Sequence, residues 1–133
     1  MQRIKTRAQF EAVMAGGTVS RTPHFVLHRA PFDATSPAGP ESDGRQALFA
    51  VRDEPWIGAV LPKRWAKRAV TRNGIKRQVY NVSQSFAPRL PAAAHVVRLR
   101  SEFARKQFTS AWSDALKAAV RAELQQLFET ARR

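Results

Sequence analysis

Lys63-Arg64-Trp65-Ala66-Lys67-Arg68-Ala69-Val70-Thr71-Arg72-Asn73-Gly74-Ile75-Lys76-Arg77 holds seven basic residues in fifteen, none acidic, with apolar residues threaded between the charges. A disordered basic tail has nothing to bury and would lack the threading. A fully buried helix would lack the charges, since each needs water or a counterion. A segment with both properties lays one side on a core and offers the other to a polyanion. Downstream, Ile75, Val79, Val82 and Phe86 recur at helical spacing as an apolar stripe, and Arg68, Arg72 and Lys76 form a basic row. The periodicity predicts a helix over about Lys67 to Phe86, introduced by Pro62 to Ala66 and stopped by Pro88 and Pro91.

Working outward, Thr6 and Gln9 have the spacing of a capping box ahead of a short helix carrying Phe10, Val13 and Met14 on one face. Gly16-Gly17 ends it. Thr18 to Ala30 reads as one strand, with Phe25 and Leu27 on one side and His24, Val26 and His28 on the other. Pro31 to Arg45, rich in Pro, Gly, Ser and Asp, reads as a long mobile surface loop. Gln46–Val51, Trp56–Leu61 and Ala93–Arg100 are further strands. Phe103 to Arg132 reads as a long helix with Phe108, Trp112, Leu116, Val120, Leu124 and Leu127 inward. The order α-β-β-β-α-β-α predicts an α+β layer arrangement, a single domain over residues 1–133, with no repeat.

The chain has 133 residues and a formal net charge of +13. Such a field favours nucleic acid or another polyanion and says nothing about fold. Between Pro55 and Ser101 there is no Asp or Glu against ten Lys or Arg, which places the charge on one surface. Interspersed signs would serve solubility better, and like charges at i, i+4 repel. The basic row therefore points to binding, although charge does not distinguish DNA from RNA. No cysteine is present, no secretory signal opens the chain, and no apolar run reaches the roughly 20 residues of a membrane span. A cytoplasmic protein with no membrane partner is the expectation.

Catalytic patterns are missing. There is no glycine-rich phosphate loop, nucleophile elbow or Cys/His zinc pattern, and no carboxylate pair at acid–base spacing. His24 and His28 on one strand would lie roughly 13 Å apart, too far to share an ion. No catalytic residue, no metal ligand and no small-molecule substrate are expected of this chain.

Taken together these pieces resemble the protein subunit of bacterial ribonuclease P. That family carries an Arg-Asn-Arg signature followed closely by a Lys-Arg pair, after a Lys-Lys or Lys-Arg pair and an Ala-Val step. Here the matching residues are Lys63-Arg64, Ala69-Val70, Arg72-Asn73 and Ile75-Lys76-Arg77, with Gly74 where the second Arg usually stands. The opening Phe10-x-x-Val13 helix, its glycine, and the Phe25-Val26-Leu27 strand match as well. The resemblance implies a ribosomal-protein-like α+β sandwich on a four-stranded mixed sheet, with the signature helix in a left-handed crossover between parallel strands. It implies a ribonucleoprotein endoribonuclease that removes the 5′ leader of precursor tRNA, its active site and Mg2+ on the catalytic RNA.

Carried over by position, the RNA-facing residues are Lys63, Arg64, Lys67, Arg68, Arg72, Asn73, Lys76 and Arg77. Asn73 is alternatively a buried hydrogen-bonding residue, and Arg72→Ala is expected to leave the melting temperature nearly unchanged. Phe10, Met14 and His28 would line a groove for the leader; Phe10 and Met14 serve equally well as core. Gly74 reads as a tolerated substitution. A ribosomal or RNA-chaperone protein with no role in cleavage is the alternative function, and a self-sufficient nuclease using His24 or His28 is a remote third.

Overall fold

Thr6 caps the first helix in the manner its spacing predicts. In the computed structural model, which describes residues 1–32, 53–103 and 112–131, the Gln9 amide donates to the Thr6 hydroxyl at 3.2 Å. The Gln9 side chain in return accepts from the Thr6 amide at 3.2 Å. The helix, α1, runs Arg7–Ala15. Gly17, at φ 113°, takes the left-handed turn that follows. Gly16 is required for space instead: a Cβ there would sit 2.5 Å from the Ala30 Cβ.

The remaining elements are β1 (Gln2–Arg3), β2 (Thr18–Arg21), β3 (Phe25–Ala30), β4 (Trp56–Val60), α2 (Ala69–Phe86), a 3-10 turn (Ala87–Arg89), β5 (Ala94–Leu99) and α3 (Asp114–Ala131). The sheet order is β1-β4-β5-β3-β2. β1–β4 and β4–β5 are parallel, and β5–β3 and β3–β2 are antiparallel. α2 connects the adjacent parallel strands β4 and β5.

Three sequence expectations need correction. Thr18 to Ala30 is not one strand but a hairpin. Pro23 has no N–H for a continuous ladder, and the Thr22 hydroxyl accepts from the Phe25 amide at 3.2 Å, which closes the turn. Among the described residues the sheet has five strands: the break in Thr18–Ala30 adds one, and Gln2–Arg3, which pairs along β4, adds another, since two residues carry no period to detect. The last helix begins at Asp114, where the Ser113 hydroxyl accepts from the Leu116 amide at 3.0 Å. The Gln46–Val51 strand, Phe108 and most of the 31–45 loop fall outside the described residues. Phe32, assigned to that loop, is buried against Trp56, Ile4 and Val13.

Helices cover both faces of the sheet. α2 and α3 bury Ile75, Val79, Val82, Phe86, Leu116, Val120, Leu124 and Leu127 against Phe25, Leu27, Ile57, Val97 and Leu99. Each fully buried side chain of this kind contributes roughly 1.5–3 kcal/mol. α1 covers the other face with Val13 over Ala94 and Val96. Enclosed on both faces, β5 reads as the near-continuous apolar run that its burial demands.

Polar ties join α3 to the sheet. Glu123 accepts from the Thr22 hydroxyl at 2.6 Å and the His24 amide at 2.7 Å, and it pairs with His24 Nδ1 at 2.8 Å. Arg29 donates to His95 Nε2 at 2.9 Å and to the Ala131 carbonyl at 3.1 Å. Because arginine only donates, His95 must carry its proton on Nδ1, which faces the Trp56 carbonyl at 3.2 Å. Burial, then the Arg29 charge, lower the His95 pKa to about 4.

Candidate nucleic-acid interface

The basic run folds as a braced loop and a helix. The Pro62 carbonyl accepts from the Trp65 and Ala66 amides at 3.0 and 3.2 Å, making one turn. Ala66 is buried and Trp65 packs against the core, so Lys63, Arg64, Lys67 and Arg68 are left exposed. Arg64 lies 5.7 Å from the Trp65 ring centroid.

Arg68 is the N-cap of α2 rather than part of it, and no side chain caps the helix there. Its first turn holds no acidic residue. Cations at the positive end of a helix macrodipole are unfavourable until an anion arrives. The exposed Lys67 and Arg68 at this end of α2 therefore suit a phosphate.

Arg72 departs from its expected role. Its Nη1 donates to the Ala66 and Lys67 carbonyls at 2.9 and 2.8 Å, so the side chain braces the loop that displays the other cations. Asn73 resolves the other way: it is exposed, next to exposed Lys76 and Arg77 on the outer face of α2. Gly74 is buried, and a Cβ placed on it would fall on the indole of Trp112. The glycine is thus a docking site for a residue just ahead of α3, rather than a tolerated blank.

On the opposite face, the sheet register aligns side chains in rows. One row holds Thr18, His28, Val96 and Gly58; the next holds Arg21, Val26, Arg98 and Val60. Phe10 lies over Gly58, where a Cβ would come 2.5 Å from its Cε1. Phe10, Met14 and Val60 are all partly buried at the margin of the α1-side core. The three groove residues expected from sequence therefore share one face, but with unequal roles. Phe10 and Met14 form its wall and double as core. His28 is buried 7% exposed and forms the floor, its Nε2 accepting from Arg98 at 3.3 Å. Burial pushes the His28 pKa below its usual value, Arg98 and Arg21 add to this, and the Gly17 backbone opposes it.

His24 does not join His28. It is held by Glu123 and stacks on Phe103 with ring centroids 3.9 Å apart. Among the described residues no group of three or more His, Asp or Glu gathers as metal ligands.

The ribonuclease P family profile matches residues 1–130. The ribonuclease P protein component of Ralstonia pickettii is 35% identical over 132 residues, covering 98% of this chain and 79% of that protein. That of Bordetella parapertussis is 33% identical over 122 residues, covering 92% and 85%. The chain belongs to the ribonuclease P protein family. Its fold agrees: the Staphylococcus aureus RNase P protein superposes with a TM-score of 0.64 at 18% identity, covering 98% of this chain and 95% of that one.

As a ribonuclease P protein the chain serves tRNA 5′ processing together with an RNA subunit. Sequence reasoning missed Arg21 and Arg98, because the strand register is what sets them on the same row as Val26 and Val60, beside His28. It also missed Arg3, whose Cζ stands 4.1 Å from the Tyr80 ring centroid on the α2 side. Arg98 carried one legible signal, a cation inside a mostly apolar strand; Arg3 carried none, because its pairing with β4 is long-range.

Proposed function

We propose that this chain binds the catalytic RNA through the Lys63–Arg77 region and receives the precursor-tRNA leader on the α1 side of the sheet. In this reading the RNA holds the active site and its Mg2+, and the protein works in the cytoplasm as an accessory. Lys63, Arg64, Lys67, Arg68, Lys76 and Arg77 make the RNA-facing cations, and Arg72 holds their loop in shape. Phe10 and Met14 offer apolar surface to an extended strand, while Arg21 and Arg98 offer charge to its phosphates.

The observation that carries the reading is the segregation of two surfaces on opposite faces of one sheet. One is basic, its cations set around the exposed Val70; the other is an apolar ledge edged by two arginines. A polyanionic ribozyme and a polyanionic substrate repel each other, and a strongly cationic protein with two faces reduces that repulsion while contacting both.

Reconstitution tests this. Purified chain added to its cognate catalytic RNA and precursor tRNA in moderate Mg2+ should accelerate cleavage, and the acceleration should shrink when the leader is trimmed. Cleavage no faster than with RNA alone refutes the reading.

A further inference from the structure

Arg3 from β1 and Asn73, Lys76, Arg77, Tyr80 and Asn81 from α2 line a cleft of about 330 Å³. Arg3 is fixed at its base by strand pairing with Ile57, and its guanidinium lies over the Tyr80 ring, 4.1 Å from the centroid. Arg3 is itself exposed, so the face of the guanidinium turned away from Tyr80 meets solvent. None of the six lining residues is acidic.

We propose that this cleft takes one unstacked nucleotide of single-stranded RNA, its base stacked on the Arg3 guanidinium and its phosphate on Lys76 and Arg77. The Tyr80–Arg3 pair is a preassembled platform, and splayed-out RNA bases stack on aromatic rings and arginine planes. Asn73 and Asn81 each carry both a donor and two acceptor lone pairs, which suits them to a base edge. The volume lies at the small end of ligand pockets, room for one nucleotide and not for a duplex. A site for phosphate alone would need neither the ring nor the amides. Burial pushes the Tyr80 phenol above its usual pKa, with Arg3 opposing, so the platform is a cation over an uncharged ring at neutral pH.

This site rests on the reading that the chain binds catalytic RNA, and the test separates the two. Full-length protein is titrated with catalytic RNA at several salt concentrations. Arg3→Lys keeps the charge and removes the plane; it should weaken binding about 5- to 150-fold, the worth of one base stack, with the salt slope unchanged. Tyr80→Phe keeps the ring and should bind as the wild type does. Lys76→Ala should reduce the salt slope by about one. Photocrosslinking to catalytic RNA carrying 5-iodouridine should join an unpaired nucleotide to the peptide holding Tyr80. Tight wild-type binding unaffected by Arg3→Lys, or a crosslink from a base-paired nucleotide, overturns the nucleotide site alone. Failure of the wild type to bind catalytic RNA overturns it together with the ribonuclease P reading.

Discussion

Replacing Gly74 with alanine sets two effects of opposite sign against each other. In an exposed helix the change should stabilise by about 1 kcal/mol, because glycine loses more backbone freedom on folding. Here the added Cβ falls on the Trp112 indole, and forcing a methyl group into packed space typically costs about 1–3 kcal/mol. The net expectation is a loss of about 0–2 kcal/mol. In a Trp112→Ala background the obstacle is gone, so the same substitution should stabilise by about 1 kcal/mol. Urea unfolding of the four proteins of this cycle measures a coupling of about 1–3 kcal/mol between the two positions. If Gly74→Ala stabilises both backgrounds equally, the indole is not seated on α2 and the glycine is merely tolerated. Gly74→Arg, which restores the residue usual in the family, should destabilise further and should not tighten RNA binding, because this position faces Trp112 and not solvent.

Arg72→Ala should lower stability by about 1 kcal/mol, through loss of its bonds to the Ala66 and Lys67 carbonyls; an unchanged melting temperature would return Arg72 to a purely ligand-facing role. With six exposed cations from Lys63 to Arg77 facing RNA, log affinity should fall with log salt at a slope of about −4 to −5, and a slope near zero means the charges are only solvated. Gly58→Val should displace the Phe10 ring and reduce the cleavage advantage of long-leader over short-leader substrate; an unaltered advantage removes Phe10 from the leader site. His95 has a folded pKa of about 4 against an ordinary 6.5, so the unfolded chain binds the proton more readily. Its contribution is complete above pH 6.5 and declines by about 3 kcal/mol as pH falls to 4. A His95→Gln variant should therefore show a shallower acid-side decline in urea midpoint, and an identical decline contradicts the assignment.

Local chemistry explains what could be read along the chain. The Thr6–Gln9 capping box, the Ile75–Phe86 stripe and the Leu116–Leu127 stripe involve residues within a few turns of one another, so their spacing carries the structure. The break at Thr22–Pro23 is signalled by the missing N–H of Pro23, a signal that the one-strand reading of Thr18 to Ala30 passes over. The edge pairing of Gln2–Arg3 is not signalled, because two residues have no period and their partner lies on β4.

By itself the sequence determined the α+β class, the signature helix, the concentration of positive charge on one surface and the family resemblance. Each follows from residue type and short-range spacing. Tertiary structure decided what individual residues of that signature do. It turned Arg72 inward to two carbonyls, left Asn73 in solvent, set Trp112 on Gly74, placed Arg3 against Tyr80 and aligned Arg21 with Arg98 across the sheet. Those outcomes depend on groups far apart in the chain meeting through strand register and helix packing, and no local pattern encodes which distant partner a side chain will meet.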